Sequence, residues 1–131
     1  FFREGIPPRV FLRFIKYDEL QKGDTIGTGH YDKGSFTVAI AESTPGLRIG
    51  PQGAPVEIEH KDGTAIFFPA DGFKETFPQL PLPSAWHDVI QKADRPYRPG
   101  VGRWTIVCFA DGLDQTLPDD VRTHTYRGKE C

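Results

Sequence analysis

Four histidines, at positions 30, 60, 87 and 124, and two cysteines, Cys108 and Cys131, are the residues whose chemistry the sequence offers first. None has the spacing of a zinc site, because neither His-Glu-x-x-His nor His-x-His occurs and the cysteines stand far apart in the chain. No metal and no cofactor are therefore expected. Cys108, inside the apolar run Arg103 to Ala110, reads as a small core residue. Gly27-Thr28-Gly29-His30 lacks the third glycine and the following helix of a nucleotide-binding loop, so it reads as a flexible loop. Arg95, Tyr97, Arg98 and Arg103 form a local cationic and aromatic cluster, which is either ordinary surface or a place where RNA phosphate and a stacked base would dock.

The last third of the chain carries an ordered set of short motifs. Glu75-Thr76-Phe77-Pro78 is followed by Pro99-Gly100-Val101-Gly102-Arg103 opening an apolar run, then by Thr123-His124-Thr125, and finally by Cys131. Over residues 56 to 131 this order resembles the microbial guanyl-specific ribonucleases and the fungal ribotoxins. The resemblance implies metal-independent cleavage of single-stranded RNA through a 2′,3′-cyclic phosphate, with no cofactor. Glu75 would then take the proton of the 2′-hydroxyl and His124 would protonate the leaving oxygen. Arg103 would hold the phosphate through its planar fork, and His60 would help Glu75 position the 2′-hydroxyl. In that reading Tyr97 and Arg98 would bind substrate. The family's terminal cysteine pairs with one near the N-terminus, and Phe1 to Lys22 contains none, so Cys131 would instead pair with Cys108 or remain free. One extra residue separates Glu75 from Pro78 relative to that family. Either a bulge restores Glu75, or Thr76 takes its place and leaves a non-catalytic protein that binds RNA, the ribosome or a host protein. An unrelated β-barrel binding module is the third reading.

These side chains need elements to position them. Val10 to Tyr17, Ser35 to Ala41 and Arg103 to Ala110 read as strands from their β-branched and aromatic content, and Val121 to Tyr126 as a last one. Val56 to His60 and Thr64 to Phe68 flank Lys61-Asp62-Gly63, a hairpin signal. Phe73 to Phe77 reads as a short strand, and Gln21 to Gly34 and Thr44 to Pro55 as glycine-rich loops. Ser84 to Ala93 reads as the one helix: Ser84 would cap it, Leu82, Trp86, Val89, Ile90 and Ala93 fall at helical spacing, and His87-Asp88 would lie on its solvated face. The expected class is α+β, a microbial-ribonuclease-like antiparallel sheet of five to seven strands with one short helix, as a single domain over 1–131.

Composition bounds the reading. Gly 14 and Pro 12 in 131 residues argue against a helical bundle, and 37% hydrophobic with 26% charged residues argues against a membrane protein. A net charge of −2 gives no global field for a polyanion, so any RNA contact must be local. The chain contains no methionine, which leads to the expectation of a removed secretory signal and a secreted, monomeric protein that meets no membrane.

Overall fold

The computed structural model describes residues 9–18, 20, 23–92 and 102–111. Eight strands run in chain order: β1 (Arg9–Tyr17), β2 (Thr25–His30), β3 (Phe36–Glu42), β4 (Leu47–Gly50), β5 (Val56–Glu57), β6 (Ile66–Pro69), β7 (Trp86–Ile90) and β8 (Arg103–Asp111). A single turn of helix, α1 (Phe73–Thr76), lies between β6 and β7. All strand pairs are antiparallel, in two four-stranded sheets of order β1-β8-β3-β6 and β2-β7-β4-β5. Consecutive strands mostly alternate between the sheets, which is the double-sheet arrangement of a jelly roll. The core lies between them: Ala39, Phe68 and Val107 from the first sheet pack against Leu47 and Val89 from the second.

The described part is thus mostly antiparallel β-structure with almost no helix, and several local expectations are corrected. The segment expected as a helix at Ser84 to Ala93 holds strand β7 instead. Flanked by β2 and β4, β7 is covered on both faces and buries His87, Asp88 and Val89 in succession. A strand buried on both faces loses its two-residue alternation, so its apolar residues mimic a helical stripe. Conversely, Phe73 to Phe77, expected as a strand, begins as α1, closed by Thr76 N–H donating to Gly72 O and Phe77 N–H to Phe73 O.

The two segments expected as loops contain β2 and β4. Glycine is required in β2 by packing, since a Cβ on Gly29 would stand 2.0 Å from the Trp86 ring. The expected hairpin across Asp62-Gly63 keeps its turn, with Thr64 N–H donating to Lys61 O at 3.0 Å and Gly63 at φ +77°. Its two arms nevertheless separate: β5 joins β4 in one sheet, and β6 joins β3 in the other. One sheet of five to seven strands is therefore replaced by two sheets of four. The expected strand Val121 to Tyr126 lies outside the described residues.

Candidate metal centre

Antiparallel pairing of β2 with β7 sets His30 directly opposite His87. The imidazole rings stand 4.5 Å apart between centroids. Two residues after His30, Asp32 is buried where the chain turns toward β3. Its Oδ1 lies 3.2 Å from His30 Nε2 and 3.6 Å from His87 Nε2. One donor atom from each of the three residues lies within 4.8 Å of the other two. Donors held at about 2.1 Å by one ion lie about 3 Å apart when adjacent, so these separations suit three ligands on one face of a metal.

Each of the three side chains is held from behind. His30 Nδ1 donates to Thr28 O at 2.7 Å, and His87 Nδ1 donates to Ala85 O at 3.2 Å. A carbonyl only accepts, so Nδ1 carries a proton on each ring, and Nε2 is the nitrogen of each ring that faces inward and would bind a metal. Thr37 Oγ1 donates to Asp32 Oδ2 at 2.6 Å, leaving Oδ1 as the oxygen that faces the histidines. Burial pushes the His87 pKa down, an effect that the charge of Asp32 opposes without overcoming. Two imidazole nitrogens and one carboxylate oxygen thereby converge, three donors that a single cation could share.

The surroundings combine a wall and an opening. The Phe68 ring lies 4.8 Å from the His87 ring and supplies an apolar side. The His30 side chain retains 57% of its exposure, so the cluster is reached from solvent there. Next to His87, Asp88 is buried and accepts Nε of Arg48, its cross-strand partner on β4, at 2.7 Å, with a second bond from Arg48 Nη2 to the other carboxylate oxygen. That bidentate pair fixes the register of β4 on β7 beside the ligand.

Among the described residues, the predicted catalytic side chains His60, Glu75 and Arg103 are not assembled with one another. Glu75 is exposed on α1, whose preceding turn is tied to β3's start by Gly72 N–H donating to Gly34 O. Arg103 opens β8, seven positions from Ala110, the residue paired with Phe36 at that end of β3. At about 3.3 Å per residue, roughly 20 Å of strand separates Arg103 from the end of the sheet where α1 sits. His60 lies in the turn before β6, its Nε2 donating to Thr64 O at 2.7 Å, whereas Glu75 follows the far end of β6. His124, Tyr97, Arg98 and Cys131 lie outside the described residues, and Cys108 is a half-buried thiol of β8.

Arg103 is itself buried, at 2% exposure. Its Nη2 pairs with Glu42 Oε2, its Nε donates to Thr44 O at 3.0 Å, and its guanidinium lies over the Tyr17 ring at 5.5 Å. Tyr17 reaches toward β2, where a Cβ on Gly27 would stand 3.4 Å from its ring. Burial raises the Tyr17 pKa; Arg103 lowers it, and the Asp32 charge raises it further. Arg103 Nη1 and Glu42 Oε1 are buried without a hydrogen-bond partner.

Comparison with protein-family models, curated proteins and solved structures gives no significant match to this chain. The site therefore speaks through its geometry alone. Histidine and cysteine spacings do not reach this cluster, because its third donor is the carboxylate of Asp32. The usable signal was His30-Tyr31-Asp32, two donors separated by one residue in an extended segment. His87 carried no such signal once its segment was read as a helix.

Proposed function

We propose that this chain is a mononuclear non-haem iron(II) oxygenase domain in which His30, Asp32 and His87 hold the metal. The observation that carries the reading is the convergence of two histidine Nε2 atoms and one aspartate oxygen at 3.2 and 3.6 Å. Two histidines and one carboxylate on one face, with the remaining positions open, is the ligand set of non-haem iron(II) oxygenases. Iron held this way supplies activation of O2 toward an organic substrate. The chain's own part is to supply neutral imidazoles, to present a single oxygen of Asp32, and to keep Phe68 against one side of the site.

A co-substrate follows from Arg103. Placing one atom of O2 in a C–H bond leaves the second atom to be reduced by two further electrons, which an oxidisable co-substrate must give. A buried guanidinium with Nη1 unpartnered is suited to a carboxylate, and it lies over the ring of Tyr17, a side chain that also feels the charge of Asp32. A 2-oxo acid meets both needs: it binds through a carboxylate and gives two electrons as it loses CO2 and takes up the second oxygen atom. Glu42 occupies the other arm of the guanidinium, so the acid would share Arg103 with it or displace it.

The test is oxygen uptake by the protein loaded with Fe(II) under anaerobic conditions and then given O2, with and without small 2-oxo acids. Uptake that depends on both Fe(II) and a 2-oxo acid, with release of CO2, is expected. Tight Zn(II) binding with no oxygen uptake under any condition would favour a hydrolytic zinc site instead. The ribonuclease resemblance is read from the same preparation. Single-stranded RNA cleavage that persists in chelator would support that family's chemistry and its fold, and count against an iron enzyme.

A further inference from the structure

Asp32 has two oxygens, and only one faces the histidines. The other, Oδ2, accepts the hydroxyl of Thr37 at 2.6 Å. Thr37 lies on β3, is 1% exposed, and is one of the two largest fully buried side chains among the described residues. Its neighbours explain why it cannot turn away. Its register partners are Phe68 on β6 and Phe109 on β8, and no solvent is at hand to take its proton. A hydroxyl has one hydrogen to give, and a carboxylate oxygen is the strongest acceptor in reach.

We infer that Thr37 is a positioning residue that keeps Asp32 a one-oxygen metal ligand and thereby preserves three open positions on the ion. This rests on the metal reading of the His30, Asp32 and His87 cluster. A carboxylate free at both oxygens can bind a metal through both, taking two positions where one is intended. The short hydrogen bond from Thr37 competes for Oδ2 and also fixes the plane of the carboxylate, so that Oδ1 stands 3.2 and 3.6 Å from the two Nε2 atoms. Partners behind a ligand commonly matter for affinity by roughly 10- to 100-fold. Thr37 differs from the carbonyl partners of His30 and His87 in one respect. It is the only one of the three supplied by a side chain, and so it can be removed without changing the backbone.

The experiment uses Co(II) as the probe, which reports coordination through its visible absorption. Wild-type protein, Thr37→Val and Thr37→Ser are titrated with Co(II), and the carboxylate stretching bands are recorded by infrared difference spectroscopy with and without the ion. Expected are one-oxygen carboxylate bands in the wild type and in Thr37→Ser. Thr37→Val should show a two-oxygen pattern, an altered Co(II) spectrum and a roughly 10- to 100-fold change in affinity. A Thr37→Val protein with wild-type affinity, spectrum and bands would overturn the inference while leaving the metal site intact. Should Thr37→Val not fold, the wild type still decides: two-oxygen bands at Asp32 in the loaded wild type overturn it. Wild-type protein that binds no Co(II), Fe(II) or Zn(II) overturns both this role and the metal reading.

Discussion

His30 and His87 are register partners on neighbouring antiparallel strands, so the hydrogen-bond ladder between β2 and β7 sets the distance between their rings. Ladders are stiffer than loops, and a site built on them is held ready for its ion. Packing adds to this stiffness, because the Trp86 ring occupies the space over Gly29, next to His30.

Replacing His87 with Ala should abolish measurable Fe(II) or Co(II) binding at micromolar metal. The loss should exceed the roughly 10- to 100-fold that removal of an outer partner costs. Calorimetric titration checks this, and metal affinity equal to that of the wild type would remove His87 from the ligand set.

Metal should stabilise the folded chain in proportion to its affinity. At a free concentration about 100 times the dissociation constant, the gain is about 2.7 kcal/mol. The rise in unfolding midpoint with added Fe(II), measured anaerobically, should vanish in Asp32→Ala, whose Oδ1 is the oxygen shared by both histidines.

The metal-free protein should lose stability on acidification through His87. Burial lowers its folded pKa below the ordinary value near 6.5. Between that value and the lower folded one, the unfolded chain binds a proton that the folded chain refuses, so unfolding free energy falls as pH falls. Above about pH 6.5 both states are neutral at this residue, and its contribution is flat. Denaturant titrations from pH 7.5 to 5 should show the decline in wild type and a shallower one in His87→Gln.

Arg103→Ala should cost about 3–5 kcal/mol, because it strands Glu42 as a buried, unpaired charge with 5% of its side chain exposed. Arg103→Met combined with Glu42→Leu should recover much of that loss, since the pair is removed together. Chemical denaturation reads both. An Arg103→Ala protein as stable as wild type would show that the pair contributes little to folding and leave Arg103 free for ligand binding alone.

Part of this architecture was legible in the chain itself. The strands at Val10 to Tyr17, Ser35 to Ala41 and Arg103 to Ala110 appear where β-branched and aromatic residues concentrate, and the structure holds β1, β3 and β8 there. Their signal is local, since an extended backbone suits those side chains whatever the partner strand. The turn at Lys61 to Thr64 was legible for the same reason, Gly63 being the residue that tolerates its positive φ.

What the sequence alone determined was thus the β-rich class, the strands of the first sheet that carry clear propensity, and the donor pair His30 and Asp32 as residue types two positions apart. Tertiary structure decided the rest. Glycines that read as loop became strand β2 because Trp86 and Val89 needed the room, and an apparent helix became β7, paired at both edges with β2 and β4 and buried on both faces. The site has the same origin: His87 lies 57 positions beyond His30 in the chain, and it meets His30 because β7 pairs with β2 across the fold. Arg103, a surface phosphate ligand by its motif, was turned inward onto Glu42 by the same closure of two sheets. Long-range pairing is set by which register buries the most apolar surface over the whole chain, and no short window of residues contains that comparison.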